Sequence, residues 1–213
     1  MKCIGILALQ GGVAEHVSHL EELGAKVVEV RLPEDMAGIE GLVLPGGESS
    51  AIAHLITTAG LMDPLKAWVA EGKPTWGTCA GMILLSDKIA NPKRGGQATI
   101  GGLHVCVKRN FFGSQLGSFV STLTFPEPLS AHAEGEYRGV FIRAPAIVSH
   151  DQDVTVLARV VQKKTSISAL QDGVSEVIVA AKQGNHILCT SFHPELTSDL
   201  RWARYFLSMV PEK

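Results

Sequence analysis

The stretch from Lys73 to Leu85 has the composition of a strained turn that carries a nucleophilic cysteine. A short apolar run ends at Gly77, Cys79 stands between two glycines, and a helical pattern begins directly afterwards. Gly-x-Cys-x-Gly is the thiol counterpart of the Gly-x-Ser-x-Gly elbow, in which a sharp strand-to-helix turn raises the nucleophile above the sheet edge. The partial positive charge at the start of the helix favours a thiolate there. The alternative is a structural cysteine, since free cysteine often packs as a small hydrophobic residue.

A base for this thiol is available at the end of a later apolar run. His193 follows the strand-like run 186–192, and Pro194 biases its backbone towards an extended conformation. Side chains two residues apart in an extended chain point the same way. Glu195 can therefore accept from one imidazole nitrogen while the other takes the proton of Cys79, which predicts a Cys-His-Glu catalytic triad. Structural roles are expected for most of the other histidines, among them His16, His54 and His104.

A second glycine-rich turn is suited to stabilise an oxyanion. The segment 45–48, Pro-Gly-Gly-Glu, ends an apolar run and precedes a helical pattern. Its amides should face the crevice at the carboxyl ends of parallel strands, where α/β folds bind ligands. Either Gly46 or Gly47 could supply one donor, and the Ala80 amide after the nucleophile could supply the other. The tripeptide alone is weak evidence, because most such sequences are simple turns.

Strand-like and helical segments alternate along the first 85 residues and predict an α/β fold. Apolar runs typical of strands buried on both faces lie at 3–9, at 25–30, at 41–44 and before Cys79. Helical patterns lie at 13–23, 49–55 and 63–70. Such alternation implies a mainly parallel central sheet with helices on both faces.

The rest of the chain has a different pattern. Turn residues separate β-rich runs at 103–107, 119–125, 139–142 and 154–161, which predicts antiparallel strands that extend one edge of the sheet. Surface loops are expected at 91–98, 127–138 and 162–175. A hairpin is expected over 177–192 and a closing helix over 198–209.

The composition excludes several classes of function. With 213 residues, a formal charge of −2 and a pI near 6.4, the chain has no electrostatic footprint for nucleic acid or anionic membrane. The cysteines have no metal-ligand spacing, so we expect no metal site and no cofactor. The apolar run 3–9 is too short for a secretory signal or a membrane span. We expect one cytoplasmic domain over 1–213, in a compartment that keeps thiols reduced.

Three motifs, taken in order, resemble the class I, or triad, glutamine amidotransferases. These are Pro-Gly-Gly at 45–47, Gly-x-Cys-x-Gly at 77–81 and His-Pro-Glu at 193–195. Enzymes of this family release ammonia from glutamine through a cysteinyl thioester. The resemblance implies a flavodoxin-like architecture, with the mainly parallel sheet, flanking helices and antiparallel extension described above.

Further motifs resemble one branch of the family, the glutaminase subunits of pyridoxal 5′-phosphate synthase. They lie at 7–11, 44–49, 109–115, 141–145 and 191–196, so the resemblance runs the whole length of the chain. It implies a hetero-oligomeric complex with a synthase subunit, which builds the vitamin B6 ring from pentose and triose phosphates. The chain departs from many bacterial members at Ser114, where they carry arginine, and its loops 91–98 and 162–175 look longer. Both differences could alter contacts with the partner.

The resemblance also implies residues that hold the glutamine substrate. They are Gly47, Glu48, Ser49, Arg109, Ile142 and Arg143. Their chemistry agrees, because an α-carboxylate binds guanidinium groups or amides and an α-ammonium binds carboxylates. Gln10 is expected on the same sheet edge, where it could report partner contact to the Gly46–Gly47 peptide. Glycine accepts either sign of φ, so this peptide could flip to complete the oxyanion hole.

Three other interpretations remain open. One is a non-catalytic, regulatory relative, which the intact Cys79, His193 and Glu195 disfavour. Another is the glutaminase of imidazole glycerol phosphate synthase, which shares the triad but is disfavoured by the runs 109–115 and 141–145. The most distant is an unrelated cysteine hydrolase or peptidase.

Overall fold

The computed structural model of the chain describes residues 1–92, 95–113, 117–123, 136–161 and 176–212. The strands are β1 (Cys3–Leu7), β2 (Lys26–Val30), β3 (Gly41–Leu44), β4 (Thr75–Thr78), β5 (Ser86–Ile89), β6 (Leu103–Lys108), β7 (Ser118–Thr122), β8 (Arg138–Ile142), β9 (Ala146–His150), β10 (Val154–Val161), β11 (Glu176–Gln183) and β12 (Ile187–Thr190). The α-helices are α1 (Val13–Glu22), α2 (Ser49–Thr58), α3 (Met62–Ala70), α4 (Ala80–Leu85) and α5 (Arg201–Met209). No helix within these ranges is both long and apolar enough to cross a bilayer.

The parallel half of the central sheet has the strand order β2-β1-β3-β4-β12. Each neighbouring pair in this order is parallel. All of these strands therefore end at one edge of the sheet, which is where open α/β sheets form their sites. The predicted fold class, a parallel sheet flanked by helices with an antiparallel extension, is confirmed.

Side chains of the buried strands alternate between two cores, one on each face of the sheet. Within β3, Leu42 and Leu44 enter the core that α2, α3 and α4 cover, whereas Val43 enters the core that α1 and α5 cover. This is the alternation that the pleat imposes. Because both faces of β3 are buried, its sequence has no polar positions.

The antiparallel half extends the sheet from β12. There β11 pairs antiparallel with β12, β10 and β9, and β9 pairs antiparallel with β6. The hairpin predicted over 177–192 is thus present. Strands β5 and β9 were not predicted from the sequence, and β5 pairs parallel with β6 at the edge.

One prediction for this half is wrong. Within the described ranges, β7 and β8 pair with each other as a separate two-stranded antiparallel sheet and do not extend the edge of the main sheet. The separate sheet is explained by the aromatic side chains that β7 and β8 carry on one face. Phe119 and Phe141 stack with ring centroids 4.7 Å apart, and Phe141 packs edge-on against Phe192 at 5.6 Å. Burying these rings places the ribbon against a face of the main sheet.

The remaining differences concern ends and loops. Helix α5 begins at Arg201, three residues after the start predicted near residue 198, and the Asp199 carboxylate before it accepts from the Arg201 N–H at 3.0 Å. Parts of the predicted loops at 91–98 and 127–138, all of 162–175, the end of the predicted strand 119–125, and Ser114 lie outside the described residues.

Candidate active site

Cys79 occupies a strained turn between β4 and α4. Its backbone has φ 47° and ψ −98°, which a residue other than glycine seldom adopts. The Cys79 N–H donates to the Thr190 carbonyl at 2.7 Å, and its own carbonyl accepts from the Ile83 N–H at 3.3 Å. These contacts anchor the turn to the neighbouring strand and to the helix. The elbow predicted from Gly-x-Cys-x-Gly is present.

The glycines that flank Cys79 are required by close packing. A Cβ atom at Gly77 would lie 2.6 Å from the carbonyl carbon of Gly81, and one at Gly81 would lie 2.0 Å from the carbonyl oxygen of Leu44. Any side chain at either position would push α4 away from β3 and β4. The two glycines therefore let the helix start directly behind the thiol.

The pairing of β12 with β4 brings His193 to the thiol. Thr190 lies opposite Thr78, so the chain that leaves β12 passes Cys79. On one side the His193 ring lies next to the Cys79 side chain, since a Cβ atom at Gly46 would touch both. On the other side His193 Nδ1 lies 2.8 Å from Glu195 Oε1.

The route from His193 to Glu195 differs from the extended chain that the sequence predicts. Glu195 lies in a short 3₁₀ turn, Pro194–Leu196, closed by the Leu196 N–H on the His193 carbonyl at 3.3 Å. Proline favours the first position of such a turn, because its fixed φ suits it and its missing N–H is not needed. The turn, rather than a strand, makes the two side chains meet.

The electrostatics of the site favour a charged acid and a basic imidazole. Burial raises the pKa of Glu195, but the hydrogen bond with His193 and the nearby His16 and His193 rings lower it below its ordinary value. Burial lowers the pKa of His193, but hydrogen bonds with Cys79 and Glu195 outweigh burial and raise it to about 10. The ring is therefore a strong proton acceptor beside the thiol.

Gly46 packs directly against the thiol and its base. A Cβ atom there would lie 2.5 Å from His193 Cε1 and 3.3 Å from Cys79 Cβ. The Gly46 carbonyl accepts from the Gly12 N–H at 3.2 Å. Since N–H and C=O point in opposite directions across a trans peptide, the Gly47 N–H points away from Gly12. The Ala80 N–H lies at the start of α4, where amides have no partner within the helix.

Gln10 reaches the same loop from the end of β1. Its Oε1 accepts from the Glu48 N–H at 2.8 Å, and a Cβ atom at Gly47 would lie 2.6 Å from this oxygen. The residue expected to respond to a partner therefore touches the segment that carries the predicted oxyanion donors.

Glu48 and Arg109, two of the residues expected to bind glutamine, face each other. Glu48 Oε1 lies 3.6 Å from Arg109 Nη2, while Oε2 caps α2 by accepting from the Ala51 N–H at 2.8 Å. Glu48 thus combines a structural role at the helix start with a charge beside the site. The Arg109 backbone is fixed by the Asn91 side chain, whose Oδ1 accepts from the Arg109 N–H at 2.8 Å.

Of the four other residues of the expected set, Gly47 borders Gln10 as described, and the remaining three are placed as follows. Ser49 is buried at the start of α2, and its hydroxyl donates to Gln97 Oε1 at 3.0 Å. Ile142 and Arg143 lie where β8 ends, and Arg143 has φ 47°. The Val140 carbonyl in the same strand accepts from the His193 N–H at 2.8 Å. Two strand residues span about 7 Å, so the second sheet brings Ile142 and Arg143 near the base.

His16, for which only a structural role was expected from the sequence, lies beside the triad. It is fully buried on α1, with Nε2 at 3.2 Å from Thr78 Oγ1 and 3.4 Å from Glu195 Oε2. Burial lowers its pKa, and Glu195 partly opposes this. The helical spacing of the sequence could have indicated that His16 is buried, since it lies four residues before Leu20 and so on the same face of α1.

Comparison with known proteins places this chain in a family. The sequence profile of the SNO glutamine amidotransferase family matches residues 6–212. The chain belongs to this family. A Streptomyces coelicolor protein named pyridoxal 5′-phosphate synthase subunit PdxT is 48% identical over 97% of this chain and 93% of its own length. An Arabidopsis thaliana protein named probable pyridoxal 5′-phosphate synthase subunit PDX2 is 44% identical over 98% of this chain and 86% of its own.

Solved structures of other proteins agree with this family. A crystal structure of a glutamine amidotransferase is 39% identical to this chain and superimposes with a TM-score of 0.81, covering 97% of this chain and 98% of that one. The structure of PurLQS from Thermotoga maritima has a TM-score of 0.65 at 15% identity, covers 99% of each chain, and shares the fold alone.

Proposed function

We propose that the chain is the glutaminase subunit of a pyridoxal 5′-phosphate synthase. It hydrolyses L-glutamine to L-glutamate and ammonia, and it delivers the ammonia to a synthase subunit that makes pyridoxal 5′-phosphate from pentose phosphate and triose phosphate. The observation that carries this proposal is the arrangement of Cys79 beside His193, and of His193 hydrogen-bonded to Glu195, at the carboxyl edge of the parallel strands. The names of relatives that match nearly the whole chain support the choice of synthase.

The geometry supports a two-step acyl transfer through Cys79. His193 first takes the thiol proton, the sulfur then attacks the carboxamide carbon of glutamine, and the resulting oxyanion accepts hydrogen bonds from the Ala80 N–H and from the N–H of Gly46 or Gly47. His193 then gives the proton to the departing nitrogen, which leaves as ammonia. In the second step His193 takes a proton from water, the hydroxide opens the thioester, and glutamate leaves as the thiol regains its proton.

The charges beside the thiol fit the two ends of glutamine. Glu48 offers a carboxylate to the α-ammonium group, and Arg109 offers a guanidinium to the α-carboxylate. Glu48 Oε1 and Arg109 Nη2 lie 3.6 Å apart without substrate, so the two charged groups are already close together where the two charged ends of glutamine would bind. Gly47, Ser49, Ile142 and Arg143 complete the proposed binding surface.

We further propose that the synthase subunit switches this glutaminase on. Ammonia released without a docked acceptor is protonated and lost, so turnover without the partner has no use. The Gly46–Gly47 peptide is held by the Gly12 N–H and borders Gln10, and a flip of this peptide would exchange a carbonyl for an amide at the oxyanion position. Partner contact at Gln10 and the adjacent turn would select the active orientation.

We also propose that residues 1–213 act as one glutaminase domain in the cytoplasm. The family match over residues 6–212 supports a single unit. A reactive thiol is best kept reduced in the cytosol, and the cysteines of the chain are all free. The connected triad argues against a non-catalytic relative, and the names of the relatives argue against the imidazole glycerol phosphate synthase branch.

The test is glutamate formation from glutamine by the purified chain, alone and with a candidate synthase subunit. We expect glutamate in the presence of the synthase, and a loss on the order of 10⁶ in kcat for Cys79→Ala. Cys106→Ala is the matched control and should retain activity. An absence of glutamate from the wild-type chain with the synthase bound would contradict the proposed function.

A further inference from the structure

One oxygen of the Glu195 carboxylate has no place in the triad as described. Oε1 is engaged with His193 Nδ1 at 2.8 Å. Oε2 is buried and, among the described residues, has no partner within ordinary hydrogen-bond geometry. The polar atom that faces it is Nε2 of His16, 3.4 Å away. A charged oxygen buried without a donor is costly, so this second contact matters for how the acid works.

The surroundings of His16 fix which ring nitrogen carries the proton. Nε2 lies between two oxygens, Thr78 Oγ1 at 3.2 Å and Glu195 Oε2 at 3.4 Å. If the proton were on Nδ1, the lone pair of Nε2 would face the negative carboxylate. With the proton on Nε2, the N–H can donate to Thr78 Oγ1 and its positive end lies beside the Glu195 carboxylate. The neutral ring with its proton on Nε2 is therefore the form that fits the site.

The His16 ring is held rigidly enough to position what it touches. It is fully buried on α1 and packs edge-on against Trp76, with ring centroids 5.3 Å apart and planes at 78°. Trp76 and Thr78 belong to β4, the strand that ends directly before Cys79. One ring thus contacts the strand that presents the nucleophile and the acid that orients the base.

The start of α1 contacts the same carboxylate. A Cβ atom at Gly12 would lie 2.9 Å from Glu195 Oε1, so the backbone of α1 approaches Glu195 closely. The Gly12 N–H also donates to the Gly46 carbonyl in the predicted oxyanion loop. Helix α1 therefore joins the acid of the triad to that loop, and His16 is its polar contact with the acid.

We propose that His16 is a positioning residue of the triad: its Nε2–H lies 3.4 Å from the second oxygen of Glu195, and this electrostatic contact holds the carboxylate in the orientation that meets His193. This inference rests on the proposed glutaminase function. His16 does not touch the substrate, and it acts through Glu195. Its loss leaves the binding of glutamine intact and weakens the proton transfers of His193.

The proposal predicts the direction of a pH effect. The titratable groups that face Glu195 are His16 on α1 and His193, and those that face His16 are Glu195, His193 and, on its own helix, Glu15 and His19. A donor to the charged form of Glu195 lowers the pKa of that carboxyl. Removing the donor raises this pKa, so the acidic limb of kcat/KM moves to higher pH.

The test compares His16→Gln with His16→Met, measured in the full chain with the candidate synthase bound. The two side chains have nearly the same length, and only glutamine carries an N–H donor. We expect His16→Met to lose about 10- to 100-fold in kcat, the range for a hydrogen bond to a charged group, with KM for glutamine nearly unchanged. His16→Gln should recover most of the loss and the normal acidic limb. His19→Met, on the same helix, is the control and should match the wild type.

A second measurement needs no variant. Nitrogen NMR of the histidine-labelled wild-type chain at neutral pH should show His16 protonated on Nε2 and unprotonated on Nδ1. A proton on Nδ1 would overturn the proposal. Equal activity of the His16→Met and wild-type enzymes would also overturn it. So would equal impairment of His16→Gln and His16→Met with an unshifted acidic limb. A wild-type chain without glutaminase activity would count against the proposed function instead, and the NMR result would stand independently of it.

Discussion

The parallel and antiparallel halves of the sheet contribute different parts of the site. The thiol, its base, the acid and both predicted oxyanion donors follow strands β3, β4 and β12 of the parallel half. Arg109 instead follows β6 in the antiparallel half, and Arg143 follows β8 in the separate ribbon. The proposed bond-breaking groups thus come from the parallel half, whereas half of the proposed glutamine-binding residues, Arg109, Ile142 and Arg143, come from the other two substructures. Substitutions in the two should affect different kinetic constants.

The largest effect is expected for the base on the parallel half. His193→Asn removes the group that moves every proton, so we expect a loss on the order of 10⁶ in kcat. Glu195→Gln keeps the base and disturbs only its orientation and charge, and it should retain more activity, with a loss of about 10⁴. Steady-state glutamate release with the synthase bound measures both. If Glu195→Gln is as inert as His193→Asn, Glu195 does more than orient the ring.

The next effect concerns partner control of the predicted oxyanion loop. We expect kcat/KM for glutamine to rise about 10²–10³ when the synthase subunit saturates the chain, because a missing oxyanion donor costs that much. Gln10→Ala removes the acceptor of the Glu48 N–H and should blunt this activation. Gln152→Ala, on an exposed turn, is the control. Equal kcat/KM with and without the synthase would refute the switch.

A smaller effect on KM should mark the antiparallel half. Arg109→Met removes a guanidinium that faces Glu48, and we expect KM for glutamine to rise about 10- to 100-fold, with a much smaller change in kcat. Arg159→Met, on β10 of the same half, is the matched control. A fall in kcat at constant KM would mean that Arg109 acts in bond breaking rather than in glutamine binding. The proposed division of roles between the two halves would then be wrong for Arg109.

The smallest effect is a change in the pH dependence of stability. Burial lowers the pKa of His16, so below about pH 6.5 the unfolded chain binds a proton that the native chain does not. The free energy of unfolding therefore falls as pH drops from 7 to 5, by up to about 1.4 kcal/mol per pH unit for this group. Urea unfolding of His16→Met should show a shallower slope. His193 does not mask this effect, because its raised pKa adds stability that is complete below pH 6.5 and lost towards pH 10.

An unchanged slope in His16→Met would contradict the account of His16 as a neutral buried ring. His19→Met, measured in parallel, controls for the loss of a histidine from the same helix.

What the sequence could predict was largely local. Gly-x-Cys-x-Gly specifies a turn through sterics that act within five residues, and His193 is linked to Glu195 by a single turn. The parallel strands were recognisable because burial on both faces leaves an apolar run without polar positions. In each case the residues that determine the local structure are neighbours in the sequence.

The misses involve partners that are distant in sequence. The alternation in 119–125 and 139–142 indicates strands, but it does not indicate whether they join the main sheet or form their own. Strand β5, Ser-Asp-Lys-Ile, has neither the alternation nor the apolar run of a typical strand. His16 meets Glu195 only because α1 packs beside the 3₁₀ turn, a contact that helical spacing cannot reveal.

The most direct test of the account is which cysteine forms the covalent bond. A glutamine analogue with a diazoketone in place of the carboxamide is incubated with the chain and its synthase, and the labelled residue is found by peptide mass spectrometry. We predict modification of Cys79 alone, prevented by excess glutamine, while Cys189 stays unlabelled because burial raises its pKa to about 12. Loss of activity with the label on Cys3, Cys106 or Cys189 instead would contradict the assignment of the nucleophile.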